Sequence, residues 1–159
     1  MLKLLKAQIT VFVIGTFFGF YTIYEDFKRF YSYEGTLFKL KDCVVPNPVT
    51  TPCFYGSFAF LAGLILSFLI YKKYKLKEKF LKIQNYLLWL VEFGFIFAWT
   101  NFSIVFYRYL QASGDTFTGC SGVKNTTPFT TPCFYGSVIF SVALFIVFFT
   151  KRKLQSNRH

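Results

Sequence analysis

A chain of 159 residues that is 54% hydrophobic and 23% aromatic, with a mean hydropathy of +0.43, is too apolar for a soluble domain and reads as integral membrane. Its formal charge of +11 would suit nucleic acid as a stripe on a folded surface, but the charge falls between apolar runs, which argues for lipid and against nucleic acid. The one His is the C-terminal residue, so the composition argues against a His-based metal or catalytic centre, and four Cys turn attention to thiols and disulfides.

In chain order, a short basic start (Lys3, Lys6) precedes an apolar run from Ala7 to about Tyr24. The run is long enough to span and lacks a small-x-small cleavage site, so it reads as a first span and not as a secretory leader. Gly15-x-x-x-Gly19 within it is a close-packing spacing for membrane helices. Residues 25–51 form a polar loop of mixed charge with a helical extension at its start. A second span covers about 52–71, with Ala59, Gly63 and Ser67 as a small-residue stripe on one face. Residues 72–82 hold six Lys and one Glu and read as a basic linker beside lipid headgroups. The third span covers about 86–107, the second polar loop 108–131 and the fourth span about 132–150.

Glu92 is the one acid inside a span. Such a carboxylate is either tied to an interfacial Lys such as Lys82 or handles protons. Asn125-Thr126-Thr127 fits a glycosylation acceptor on the second loop.

One phrase occurs twice, Thr50-Thr51-Pro52-Cys53-Phe54-Tyr55-Gly56-Ser57 and Thr130-Thr131-Pro132-Cys133-Phe134-Tyr135-Gly136-Ser137, each where a polar loop meets an apolar run. Thr is a good N-cap and Pro is favoured at the first helical position, which places Cys53 and Cys133 at about the second residue of a helix. A thiol there feels the positive end of the helix dipole, which favours thiolate; the same place also suits a disulfide tying a loop to a helix start.

Overlaying the halves also matches Gly15 with Gly94, Gly19 with Ala98, Arg29 with Arg108 and Gly35 with Gly114. The chain is therefore expected to be a single all-α membrane domain, a four-helix transmembrane bundle built from an internal two-fold pseudo-repeat, about 1–72 and 83–153. Two spans per half give both halves one orientation, with Cys53 and Cys133 at one mouth.

The N-terminus, the linker and the tail hold twelve Lys/Arg against one acid, and the two Cys loops hold six against five. By the positive-inside rule both termini are expected in the cytoplasm and both Cys loops outside, across a plasma membrane, in the compartment where disulfides persist.

Nine residues separate Cys43 from Cys53 and twelve separate Cys120 from Cys133, so neither pair is C-x-x-C. Local pairing gives Cys43–Cys53 and Cys120–Cys133, short loops whose closure contributes about 2–3 kcal/mol each in the chain-entropy account. These can be structural disulfides, a redox relay, or, less in keeping with their spacing, thiolate ligands of zinc.

Four spans, internal termini and two outer loops with two Cys each resemble the DsbB and vitamin K epoxide reductase group of membrane thiol oxidoreductases. The resemblance lies in topology and Cys count over the whole chain. It implies catalytic roles for Cys43, Cys53, Cys120 and Cys133, a quinone as cofactor with Arg29 or Arg108 beside it, a thioredoxin-like partner and no metal. A non-enzymatic tetraspan scaffold or small subunit of a membrane complex, with two structural disulfides, is the competing reading.

Overall fold

The computed structural model describes residues 2–37, 39, 43, 45–72, 77–112, 116–119 and 123–156. It is an all-α bundle of four helices, α1 (Leu2–Glu34), α2 (Pro52–Lys72), α3 (Lys77–Gln111) and α4 (Pro132–Ser156), each long and apolar enough to cross a membrane. A hydrocarbon core leaves backbone groups no water to bond, so an apolar segment there must satisfy them internally as a helix. The 21 residues of α2 rise about 32 Å, close to the core thickness.

The starts of α2 and α4 fall where the repeated phrase places them, whereas α1 and α3 overrun the expected spans at both ends. The helical extension expected after Tyr24 continues to Glu34. The linker is shorter than 72–82, because α3 already begins at Lys77. α1 stops at Gly35, whose φ of 68° turns the chain into the left-handed region while its N–H donates to Tyr31 O at 2.9 Å. Gly114, its partner in the overlay, lies outside the described residues.

Each half is an antiparallel pair, α1 on α2 and α3 on α4, and the halves meet through α2 on α3 and α1 on α4. At the centre the Phe60 and Phe140 rings stack with centroids 4.0 Å apart and planes 19° apart. These two are equivalent positions of the repeat, so the stack marks the pseudo-two-fold axis. A Cβ on Gly15 would stand 2.6 Å from the Phe60 ring, and one on its counterpart Gly94 would collide with the Phe140 ring. The small residues thus let one helix of each half seat its partner's phenylalanine. Leu5, Phe12, Leu87, Val91, Ala143 and Val147 extend the same core toward the end that carries the termini.

Near the end of the bundle that carries the chain termini, a buried polar layer ties all four helices together. Gln84 Nε2 donates to Gln8 Oε1 (3.2 Å) and to Val147 O (3.1 Å), and Gln8 Nε2 donates to Ser67 Oγ (3.3 Å). Both Gln are at most 1% exposed. In an apolar medium such a layer fixes helix register, since sliding any helix strands a polar group.

Glu92 lies half-buried on α3 and makes no ion pair among the described residues. The expected tie to Lys82 fails on distance, because ten residues of helix separate them by about 15 Å.

Candidate functional site

The repeated phrase folds into the same small device twice. A 3-10 turn, Pro48–Thr50 in the first half and Pro128–Thr130 in the second, leads into an extended Thr and then into the helix. Thr51 Oγ1 donates to Pro48 O at 2.7 Å and Thr131 Oγ1 to Pro128 O at 2.6 Å. The threonine hydroxyls thus close the turn behind them with their own hydrogens. The threonine carbonyls then take the first helical N–H groups, Phe54 N at 3.1 Å and Phe134 N at 3.0 Å. The repeat therefore reaches back to Pro48 and Pro128, further than the eight-residue phrase. Cys53 and Cys133 become the second residues of α2 and α4, as expected, at the positive ends of two helix dipoles.

Between these two helix starts lies a cavity of ≈ 50 Å³. Its lining comes almost wholly in repeat-equivalent pairs: Phe18 with Phe97, Gly19 with Ala98, Thr22 with Asn101, Pro52 with Pro132, Cys53 with Cys133, Gly56 with Gly136, and Phe60 with Phe140, joined by Ser57. The stacked phenylalanines lie toward its inner end. Gly19 is needed where it is, because a Cβ there would meet Ser57 Oγ at 2.5 Å.

The polar side chains turn hydrogens back into their own helices. Thr22 Oγ1 donates to Phe18 O (3.0 Å), Asn101 Nδ2 to Phe97 O (2.7 Å) and Ser57 Oγ to Cys53 O (2.7 Å). What remains is an apolar, aromatic-walled space bordered by two cysteines. At roughly 10–15 Å³ per water it has room for about three to five waters or the leading edge of a ring.

The four cysteines stand in different states. Cys43 and Cys53, which the loop spacing pairs, are thiols here, and Cys43 Sγ donates to Lys39 O at 3.5 Å. Cys133 is disulfide-bonded and 7% exposed. Cys120 lies outside the described residues.

Neither Arg29 nor Arg108 lines the cavity. Both belong to the Cys-loop ends of long helices, where α1 and α3 have overrun the expected spans. Arg29 pairs with Asp26 at 2.5 Å and Arg108 is exposed. No group of three or more His, Cys, Asp or Glu is placed to hold a metal among the described residues. Asn125 Nδ2 is occupied with Val123 O at 2.9 Å in a short hairpin, β1 (Phe117–Thr118) with β2 (Lys124–Asn125).

Two buried acids are absent from the sequence-based site. Asp26 is 4% exposed, and the Glu34 side chain is 1% exposed and salt-bridged to Lys39 at 2.5 Å. Their charges are matched by Arg29 and Lys39. Asp26 had a visible signal: it continues the spacing Gly15, Gly19, Thr22, Asp26 along the packing face of α1.

Comparison with protein-family models, with curated proteins and with solved structures finds no match.

Proposed function

We propose that this multi-pass membrane protein is a thiol–disulfide oxidoreductase whose working site is the axial cavity between the starts of α2 and α4. One observation carries the reading: the duplicated helix start brings Cys53 and Cys133 to the lining of one apolar cavity on the pseudo-two-fold axis. Structural disulfides alone would not require the two cysteines to converge. The positive-inside count supports the orientation, with termini in the cytoplasm and the cavity's cysteine end outside.

The overall exchange oxidises a partner dithiol, of thioredoxin-like type, to its disulfide and passes two electrons and two protons to a quinone. Cys43–Cys53 and Cys120–Cys133 are then the oxidised forms of two pairs that alternate with dithiols. The aromatic lining suits an apolar ring by chemistry, while the volume admits only its edge. A quinone at this mouth would supply the two-electron acceptor. Phe18, Phe97 and the Phe60–Phe140 stack would flank it, and Arg29 and Arg108 would not. The chain itself supplies two helix dipoles that favour thiolate, an apolar aromatic wall, and a fixed spacing between the halves.

The test is oxidation of a reduced thioredoxin-like protein by the purified chain in detergent with a soluble quinone. Quinol formation coupled to disulfide formation, lost in Cys53→Ser and in Cys133→Ser, is the expected result. Disulfides that resist mild thiol, with no quinol formed, would leave a tetraspan scaffold with structural disulfides in its place. The orientation is checked separately with tags at the termini and labels in the Cys loops; a terminus cleaved by external protease would reverse it.

A further inference from the structure

The halves meet along two main seams, α2 on α3 and α1 on α4, and only the first joins consecutive helices. At the end that carries the termini, residues 73–76 link α2 to α3, whereas the topology places no connecting loop across the seam between α1 and α4. An open groove of ≈ 500 Å³ lies there, lined by Leu4 of α1 and by Phe145, Ile146, Phe149, Arg152 and Lys153 of α4. A smaller groove of ≈ 310 Å³, lined by Phe148, Lys151, Arg152 and Gln155, meets it at the same arginine.

Helical spacing gives the groove an apolar part and a charged part. Phe145, Phe149 and Arg152 follow one another at four and three residues, so they share one face of α4 and extend along it for about 10 Å. Phe145 is 65% exposed and Phe149 41%, with ring centroids 4.4 Å apart. Arg152 stands 20 residues after Pro132, the first residue of α4. That is a rise of about 30 Å, the thickness of a hydrocarbon core. With the start of α4 at one boundary of the bilayer, the two phenylalanines lie among acyl chains and the guanidinium lies at the headgroup level of the other boundary.

Charge then selects the headgroup. The N-terminus, the linker and the tail hold twelve Lys/Arg against one acid, and neither Arg152 nor Lys153 makes an ion pair among the described residues. A guanidinium offers phosphate a planar fork of donors, and Lys153 adds a point charge beside it. A choline headgroup would bring a further cation to these two and is disfavoured. The repeat supplies a contrast, because Phe145, Phe149 and Arg152 correspond to Ile65, Leu69 and Lys72 of α2. The other seam thus has an aliphatic wall and a point charge at the same level.

We propose that the α1–α4 groove binds one phospholipid with an anionic headgroup, its acyl chain along Phe145 and Phe149 and its phosphate on Arg152 with Lys153 beside it. The site does not depend on the redox chemistry of the cavity. In the orientation proposed above it faces the cytoplasmic leaflet, where anionic lipids are enriched.

Native mass spectrometry of the full chain, released from micelles holding equal amounts of dioleoyl phosphatidylglycerol and dioleoyl phosphatidylcholine, counts the lipid retained. One phosphatidylglycerol per chain is expected, favoured over phosphatidylcholine by about fivefold, the effect of one unit charge near the interface. Arg152→Gln should lower its retention about thirtyfold, within the range for a hydrogen bond to a charged group. Lys72→Gln removes one charge at the same level on the other seam, and diffuse attraction alone should cost it no more than about fivefold. Arg152 is exposed, so Arg152→Gln should keep the parent's thermal midpoint in lipid-free detergent. Arg152→Lys keeps the charge and loses the fork, and its retention should fall between those of the parent and Arg152→Gln. A preference below twofold in the parent, equal losses in Arg152→Gln and Lys72→Gln, or full retention in Arg152→Lys would each overturn the proposal. Excess glycerol 3-phosphate should leave the lipid in place. Displacement by it would mean a site for soluble phosphate esters instead of a lipid.

Discussion

The Cys-loop ends of the two halves are built on one plan and finished in different materials. In the first half the ion pairs Asp26–Arg29 and Glu34–Lys39 sit beside the helix start, and Asn47 caps the 3-10 turn by accepting from Val49 N at 3.0 Å. In the second half the corresponding space is aromatic: Phe102, Val105 and Phe117 form a cluster with Phe106, Tyr109 and Phe134 around Cys133, and Thr127 makes no capping bond with its side chain. Phe102 touches the rings of Phe106, Phe129 and Phe134 at centroid distances of 5.3–6.3 Å. A helix start of this kind can therefore be held in place by rings alone.

The comparison is broken most severely at what the halves share. Phe60→Ala and Phe140→Ala each open the stack on the axis and should cost about 3–5 kcal/mol, read as loss of thermal or denaturant stability in detergent. If the pseudo-symmetry is energetic as well as geometric, the two losses agree to within about 1 kcal/mol, an ordinary context spread.

Exchanging the materials gives a smaller and opposite pair of effects. Val105→Asp puts a carboxylate into the aromatic cluster and should destabilise by about 2–3 kcal/mol, whereas Asp26→Val should stay within about 1 kcal/mol of the parent. The same unfolding measurement checks both. A large loss in Asp26→Val would mean that the first half depends on its ion pairs and that the halves are not interchangeable scaffolds.

The smallest effect is expected at the Gln8–Ser67–Gln84 layer. Gln84→Leu removes two hydrogen bonds, and with membrane values near 0.6 kcal/mol per bond the loss should be about 1 kcal/mol. Its sharper consequence is in register: cross-linking between Cys placed on facing turns of α1 and α3 should spread over neighbouring positions in the variant and stay at one position in the parent.

Much of this molecule is decided by local sequence. Apolar runs of membrane length become helices because lipid offers the backbone no alternative. The phrase Thr-Thr-Pro-Cys starts α2 and α4 where it stands because proline suits the first turn and holds the residue before it extended, as Thr51 and Thr131 are. The two-fold repeat, four spans and the helix-start positions of Cys53 and Cys133 were all legible for that reason. The lengths of α1 and α3 were not, since the segments Glu25–Glu34 and Lys77–Gln84 are polar enough to read as loop and become helix by continuing from apolar turns. The cavity on the axis, the Phe60–Phe140 stack and the Gln8–Ser67–Gln84 layer depend on which faces of four helices meet, a matter of angle and depth that one helix's spacing does not contain. Asp26 stands at that boundary. Its place on the packing stripe can be counted along α1, but its burial exists only once the other helices have docked against that face.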